Sequence, residues 1–213
     1  MTFSVVAWDG RTGMAGVGVA SRFFAAGAYV IHARSGAGAI ASQAKANPFL
    51  GIDGLEGLAG GEDPEALLKA LLPGDEGRNR RQCHMVDTRG HTAAWTGPEC
   101  VEWAGHRTFD GFSVAGNMLV GPQVLDAMAE AYEAAAEDHL GGRILAVLEA
   151  GDAAGGDKRG RQAAAIYVVA DQPYAELDIR VDDHTDPFRE LRRLYEISRD
   201  DHMLSFRAEM PRR

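Results

Sequence analysis

The second residue of the chain offers the most distinctive chemistry. Thr2 follows Met1, and methionine aminopeptidases remove Met ahead of small residues such as Thr, which would leave Thr2 with a free α-amine. An α-amine titrates near about 7.7–8.0, so a useful fraction is neutral at physiological pH and can take the proton of the hydroxyl on the same residue. Nucleophile and general base then sit in one residue, an arrangement suited to attack on an amide or related C–N carbonyl. Asn117, in Gly116-Asn117-Met118-Leu119 at the end of a strand-like run, has an amide N–H that would suit an oxyanion; its alternative is to close a turn. Ser42 and Gln43 end another strand-like run, where neighbouring backbone N–H groups would face Thr2.

A second cluster is Gly155-Gly156-Asp157-Lys158-Arg159-Gly160-Arg161-Gln162, which combines a permissive backbone with three cations. It suits a nest for a carboxylate or phosphate, with Asp157, Arg159 and Arg161 as binding residues; the alternative is a turn in which Asp157 pairs with an Arg. The GK[ST] ending of a P-loop is missing and a strand follows instead of a helix, so nucleotide binding by that route is not expected. Asp182-Asp183-His184-Thr185-Asp186 reads most simply as a strand end and a helix N-cap. His106 reads as a core histidine, and the remaining histidines are too scattered for a ligand set, so neither metal nor cofactor is expected.

The elements that must position these groups follow from periodicity. Residues 2–8 and 14–20 alternate around the turn Asp9-Gly10-Arg11-Thr12-Gly13, and 28–34 and 37–43 form a second pair, together four short strands in meander order. Asn47-Pro48 opens a helix that runs to Gly60-Gly61, and Asp63-Pro64-Glu65 opens another that ends at Pro73-Gly74. Strands at 82–87 and 91–96 follow, then one at 112–117, helices at 123–138 and 140–150, strands at 162–170 and 176–181, and a helix from Asp186-Pro187 through Ile197. Runs of strands separated by paired helices imply an α+β fold in which two stacked antiparallel sheets lie between two helical layers, a four-layer αββα sandwich. Residues 1–200 read as one domain and 201–213 as a weakly patterned tail.

The opening Thr2-Phe3-Ser4-Val5-Val6-Ala7, the segment Gly18-Val19-Ala20-Ser21-Arg22-Phe23-Phe24, and Ala41-Ser42-Gln43-Ala44 with Asn47-Pro48 resemble a family of uncharacterised bacterial proteins grouped with the N-terminal nucleophile (Ntn) hydrolases. The resemblance continues through Trp103-Ala104-Gly105-His106, Gly116-Asn117-Met118-Leu119, the 155–162 cluster and Leu177-Asp178-Ile179-Arg180-Val181-Asp182-Asp183-His184, spanning residues 2–198. It implies the sandwich of the proteasome-like superfamily, in agreement with the element order, and supplies no substrate. The proteasome-type arrangement uses a Lys downstream of the nucleophile; here the matching spacing falls on Arg34, which would hold a positive field without shuttling protons. The expected site is therefore Thr2 as nucleophile and base, Arg34 setting the field, Ser42 and Asn117 on the oxyanion side, and Gln43, Asp157, Arg159 and Arg161 binding ligand.

Composition narrows the partners. A net charge of -9 with pI near 5.2 argues against nucleic acid, since phosphate contact needs a concentrated basic surface. No apolar stretch approaches the roughly 20 residues that span a bilayer, and a cytoplasmic location is expected. Cys83 and Cys100 have no metal spacing and are expected as buried thiols. The rival to a hydrolase is a non-catalytic protein of the same fold that binds a small anionic metabolite or acts as a scaffold. A homo-oligomer, most simply a dimer, is expected because Leu55, Leu58, Leu67, Leu68, Leu71 and Leu72 exceed what one face of two short helices can bury.

Overall fold

The computed structural model describes residues 2–135 and 139–213. The opening residues form a hairpin of β1 (Thr2–Asp9) and β2 (Met14–Ser21), and a second hairpin joins β3 (Ile31–Arg34) to β4 (Gly38–Ala44). Helices α1 (Pro48–Ala59) and α2 (Pro64–Leu71) follow, then strands β5 (Arg81–Asp87), β6 (Thr92–Thr96), β7 (Gly105–Thr108) and β8 (Phe112–Asn117). Helices α3 (Gln123–Ala134) and α4 (Leu140–Ala153), strands β9 (Ala163–Val169) and β10 (Ala175–Val181), and helices α5 (Pro187–Ser198) and α6 (Asp201–Ala208) complete the chain. The result is a mixed α+β fold with two antiparallel sheets, one of six strands in the order β10-β9-β2-β1-β8-β7 and one of four in the order β3-β4-β5-β6. Among the described residues no helix is long and apolar enough to cross a membrane.

Several expectations need correction. The first four strands are not one meander: each hairpin belongs to a different sheet, and the chain crosses between sheets over residues 22–30. Residues 28–30 do not extend β3 because Ala25 adopts a left-handed φ of 51° and Ala26–Ala28 close a 3-10 turn. The segment is tied down by the Ala25 N–H, which donates to the Asp182 carbonyl at 2.9 Å. His106 lies in a strand, β7, that its polar, Gly-bounded sequence conceals. The expected tail contains α6, capped by the Asp200 side chain on the Met203 N–H. The helix expected over 123–138 ends at Ala134 as described, and 136–138 lie outside the described residues.

The helix starts agree with the sequence, because the caps are local. Asn47 accepts from the Phe49 N–H and Asp63 from the Glu65 and Ala66 N–H groups, each with Pro in the first turn. Helices α1 and α2 pack Leu50, Leu58, Leu67 and Leu68 on Ile40, Cys83 and Met85 of the four-stranded sheet. Leu55, Leu71 and Leu72 join that same core partly buried, so the leucines pack within the chain. On the six-stranded sheet, Phe3, Val5, Val114, Ile166 and Val168 meet Val124, Met128, Ile144, Leu148 and Leu191 of α3, α4 and α5. Gly16 and Gly18 of β2 are required there: a Cβ on either would collide with Ile144 of α4.

The inner faces of the two sheets meet through small apolar residues, among them Val6, Val17, Val19, Ala39, Ala41, Val86 and Ala165. Toward the start of β1 this same layer turns polar. Ser4, Gln43, Gln82, His84 and Ser113 are fully buried and Asn117 is 3% exposed. Such groups are tolerated only when bonded. The Ser4 hydroxyl donates to Gln43 Oε1 at 2.7 Å and lies 2.8 Å from His84 Nε2, which assigns the N–H to Nε2 of a neutral imidazole. Ser113 Oγ lies 3.1 Å from His84 Nδ1 and 3.0 Å from the Arg107 carbonyl, so one proton is shared between two acceptors. Burial, and after it the neighbouring His106, pushes the His84 imidazole down to about 3.

Two outcomes follow from this packing. Gly18→Val is expected to cost about 1–3 kcal/mol, read as a lower urea midpoint with unchanged slope, because Ile144 must leave its rotamer. The unfolded chain binds a proton at His84 below pH 6.5 whereas the folded chain does not until about 3. The stabilisation from a neutral His84 is therefore complete above the ordinary value and is lost as pH falls through that window, by up to about 1.4 kcal/mol per pH unit. Urea titrations from pH 7 to 4 should show a shallower pH dependence for His84→Gln than for the wild type; parallel curves would remove His84 from the acid sensitivity.

Candidate functional site

The hairpin turn sets the register of the site. Pairing outward from Asp9 and Met14 places Thr2 opposite Ser21 on β2, and the other neighbour, β8, places Thr2 opposite Asn117. Thr2 thus heads a central strand of the six-stranded sheet, 7% exposed, with its Oγ1 3.0 Å from Ser21 Oγ. It lines a cavity of about 840 Å³ together with Ser21 and Asn117.

Behind Thr2, buried amides hold the two sheets in register. Asn117 Nδ2 donates to the Thr2 carbonyl at 3.4 Å and to Gln82 Oε1 at 2.9 Å. Gln82 Oε1 also accepts from Gln43 Nε2 at 3.0 Å, and Gln82 Nε2 donates to the Gly116 carbonyl at 2.7 Å. Gln82 and Gln43 come from the four-stranded sheet, Asn117 and Gly116 from the six-stranded one, so the ligature crosses the layer. With both Nδ2 hydrogens directed at protein oxygens, Asn117 positions the Thr2 backbone and does not point an N–H into the cavity as an oxyanion donor.

The other sequence candidates separate. Gln43 lies in the buried amide group, where it binds protein and not ligand. Ser42 points the other way across β4: its Oγ accepts from the Asn47 N–H at 3.1 Å, which supports the start of α1. Arg34 pairs with Gly38 at the hairpin end of β3, opposite the Ala44 end of β4 that lines the cavity, so the structure does not bring it to Thr2. Arg161 also lies apart, pairing with Asp152 at 3.2 Å and Asp186 at 3.6 Å and lying over the Phe188 ring. Arg159 does line the cavity. Asp157 holds it there: the carboxylate accepts from the Arg159 N–H at 2.7 Å and the Arg22 N–H at 3.1 Å, and pairs with the Arg159 guanidinium at 3.3 Å. Asp157 is therefore the anchor of the loop and Arg159 the group it presents.

Sequence reasoning did not single out Ser21, Gln82, Lys45 or Arg80. Ser21 was accessible by counting back from the turn. Gln82 carried no local signal, since its partners lie on another sheet. Lys45, Arg80, Arg81 and Glu99 line the cavity along with Phe23, Tyr29 and Val101. Arg81 is structural: its Nε donates to Asp75 Oδ2 at 2.5 Å and its guanidinium bonds the Lys45 carbonyl. Against the desolvation that burial imposes, hydrogen bonds from Arg81, Asn47 and the Gly77 N–H hold the Asp75 carboxyl below its ordinary value. Cys100 also lines the cavity, and burial pushes its thiol up, so it is a poor nucleophile beside Thr2. Cys83 is fully buried and pushed up to about 12. Among the described residues no group of three or more His, Cys, Asp or Glu side chains is placed to hold a metal ion.

The chemistry at hand is a hydroxyl at a strand terminus, oriented by a second hydroxyl, in a cavity with apolar and cationic walls. The crystal structure of protein SPO2555 from Silicibacter pomeroyi is similar to this chain with a TM-score of 0.91 at 32% identity, the match covering 99% of this chain and 94% of that one. No curated protein matches the chain. A model described as a family of unknown function, DUF1028, matches residues 2–191, a span that contains every residue lining the cavity, and the Silicibacter protein carries the same family assignment. The chain belongs to this family of unknown function, DUF1028.

Proposed function

We propose that this protein is an N-terminal nucleophile hydrolase of an amide or related C–N bond, with the two sheets and their flanking helices forming the αββα sandwich of that superfamily. The observation that carries the proposal is the position of Thr2: first residue of a central strand, mostly buried, its Oγ1 hydrogen-bonded to Ser21, at a cavity large enough for a small substrate.

Removal of Met1 frees the Thr2 α-amine. The neutral amine takes the Oγ1 proton as Oγ1 attacks the substrate carbonyl, forming a C–O bond and a tetrahedral oxyanion. Collapse breaks the C–N bond, and the departing nitrogen takes the proton back from the ammonium. Water, deprotonated by the same amine, then attacks the Thr2 ester, and the acid product leaves as Oγ1 regains its proton. Ser21 orients Oγ1, and Asn117, itself held by Gln82, fixes the Thr2 carbonyl. Arg34 and Ser42 take no part, since one lies at the far hairpin and the other faces α1.

Intact-mass measurement of untagged protein is the first test, and loss of one Met residue is expected. Quantitative retention of Met1 in cells with normal aminopeptidase would end the Thr2 mechanism. Thr2→Ala should abolish hydrolysis across an amide panel while losing about 1 kcal/mol of stability with the Ser21 hydrogen bond. Thr2→Ser should keep part of the rate, and wild-type turnover by Thr2→Ala would move catalysis elsewhere.

A further inference from the structure

We infer that the ligand of the Thr2 cavity carries an anionic oxygen group, carboxylate or phosphate, joined by an apolar spacer to the carbonyl that meets Thr2. The inference rests on the reading of this cavity as the functional site and deepens it by naming the substrate class. Three observations support it. The chain as a whole has a net charge of -9, yet the cavity is lined by four cations, Lys45, Arg80, Arg81 and Arg159, against one carboxylate, Glu99. Two of these cations are matched, Arg81 by Asp75 and Arg159 by Asp157. The other two are neighbours, joined by the Lys45 N–H donating to the Arg80 carbonyl at 3.2 Å, and among the described residues neither side chain forms an ion pair or hydrogen bond. Glu99 accepts from Asn79 Nδ2 at 3.3 Å.

Lys45 and Arg80 reach the cavity from exposed positions, and an anion bound there would gain charge-assisted hydrogen bonds from both. The apolar part of the ligand follows from the third observation. Phe23, Tyr29 and Val101 line the same cavity yet remain 59%, 51% and 58% exposed, a stretch of apolar wall that a spacer would cover. A small polar amide would leave this wall wet, and a neutral amide would leave Lys45 and Arg80 unmatched.

The probes are the monoamides of the dicarboxylic acids from succinic to suberic, the ω-amido phosphonates of the same lengths, and the matching neutral diamides. Binding is measured by calorimetry on the full-length Thr2→Ala protein, so the result does not depend on turnover. One acidic series should bind at least about tenfold more tightly than its diamides, a difference of 1.4 kcal/mol, and should weaken with salt. The Lys45→Ala/Arg80→Ala pair should lose that preference while Lys69→Ala, on α2 outside the cavity, keeps it. Preference for the carboxylates or for the phosphonates identifies the anion. Equal binding of diamides, an unchanged preference in the Lys45/Arg80 variant with thermal stability intact, or no binding by any series overturns the inference. Retained Met1 with the preference intact would remove the hydrolase mechanism and leave the anion site standing, so the two failures are distinguishable.

Discussion

The structure depends on a polar joint in the middle of a protein whose sheets otherwise meet through small apolar side chains. Gln82 bonds Gln43 on its own sheet and Asn117 and the Gly116 carbonyl on the other. Two sheets packed only through Val and Ala have many near-equivalent offsets, because such contacts lack direction. Directional amide bonds, each costly to leave unmade in that layer, remove the alternatives. Since Asn117 grips the Thr2 carbonyl, the bonds that set the offset of the sheets also fix where the nucleophile candidate stands.

This explains the division of the inner layer. Along β1 the inward residues run from Thr2 and Ser4 to Val6 and Trp8, polar at one end and apolar at the other. The apolar end supplies burial energy; the polar end supplies definition and adjoins the cavity. His84, bonded between Ser4 and Ser113, closes the polar end against the apolar one. The same division explains why Cys100 and Arg81, although at the cavity, are poor candidates for chemistry: each is committed to holding neighbouring backbone.

Much of the fold was legible because its determinants are local. The caps at Asn47 and Asp63, the turn after Asp9 and the alternation within β1 and β2 each lie inside a few residues. The assignment of hairpins to sheets was not legible, because Ala25 gives no sign in its type that it takes a left-handed φ and sends the chain across. The site divided in the same way. The place of Thr2 at the cavity was legible from its position and the Asp157–Arg159 pair as the turn alternative, whereas Arg34 and Ser42 lie away from Thr2 because spacing along the chain does not say which end or face of a strand a side chain occupies. Lys45 and Arg80 meet only through the β4–β5 pairing, a long-range relation that no local pattern records.

The crossover between the sheets has a consequence for how the cavity wall can change. Residues 22–30 leave β2 beside Thr2 and return to β3 in the other sheet, contributing Phe23 and Tyr29 to the cavity on the way. Their backbone is pinned from outside the cavity, at Arg22 by Asp157 and at Ala25 by Asp182, so shape there does not depend on the two aromatic side chains. Both aromatics are more than half exposed, and replacing them disturbs no core packing. The connection is thus fixed where it is buried, at Ala25, Ala26 and Gly27, and open in side-chain choice at its two exposed aromatics, so the cavity wall can be altered there without touching the Thr2 end of β1.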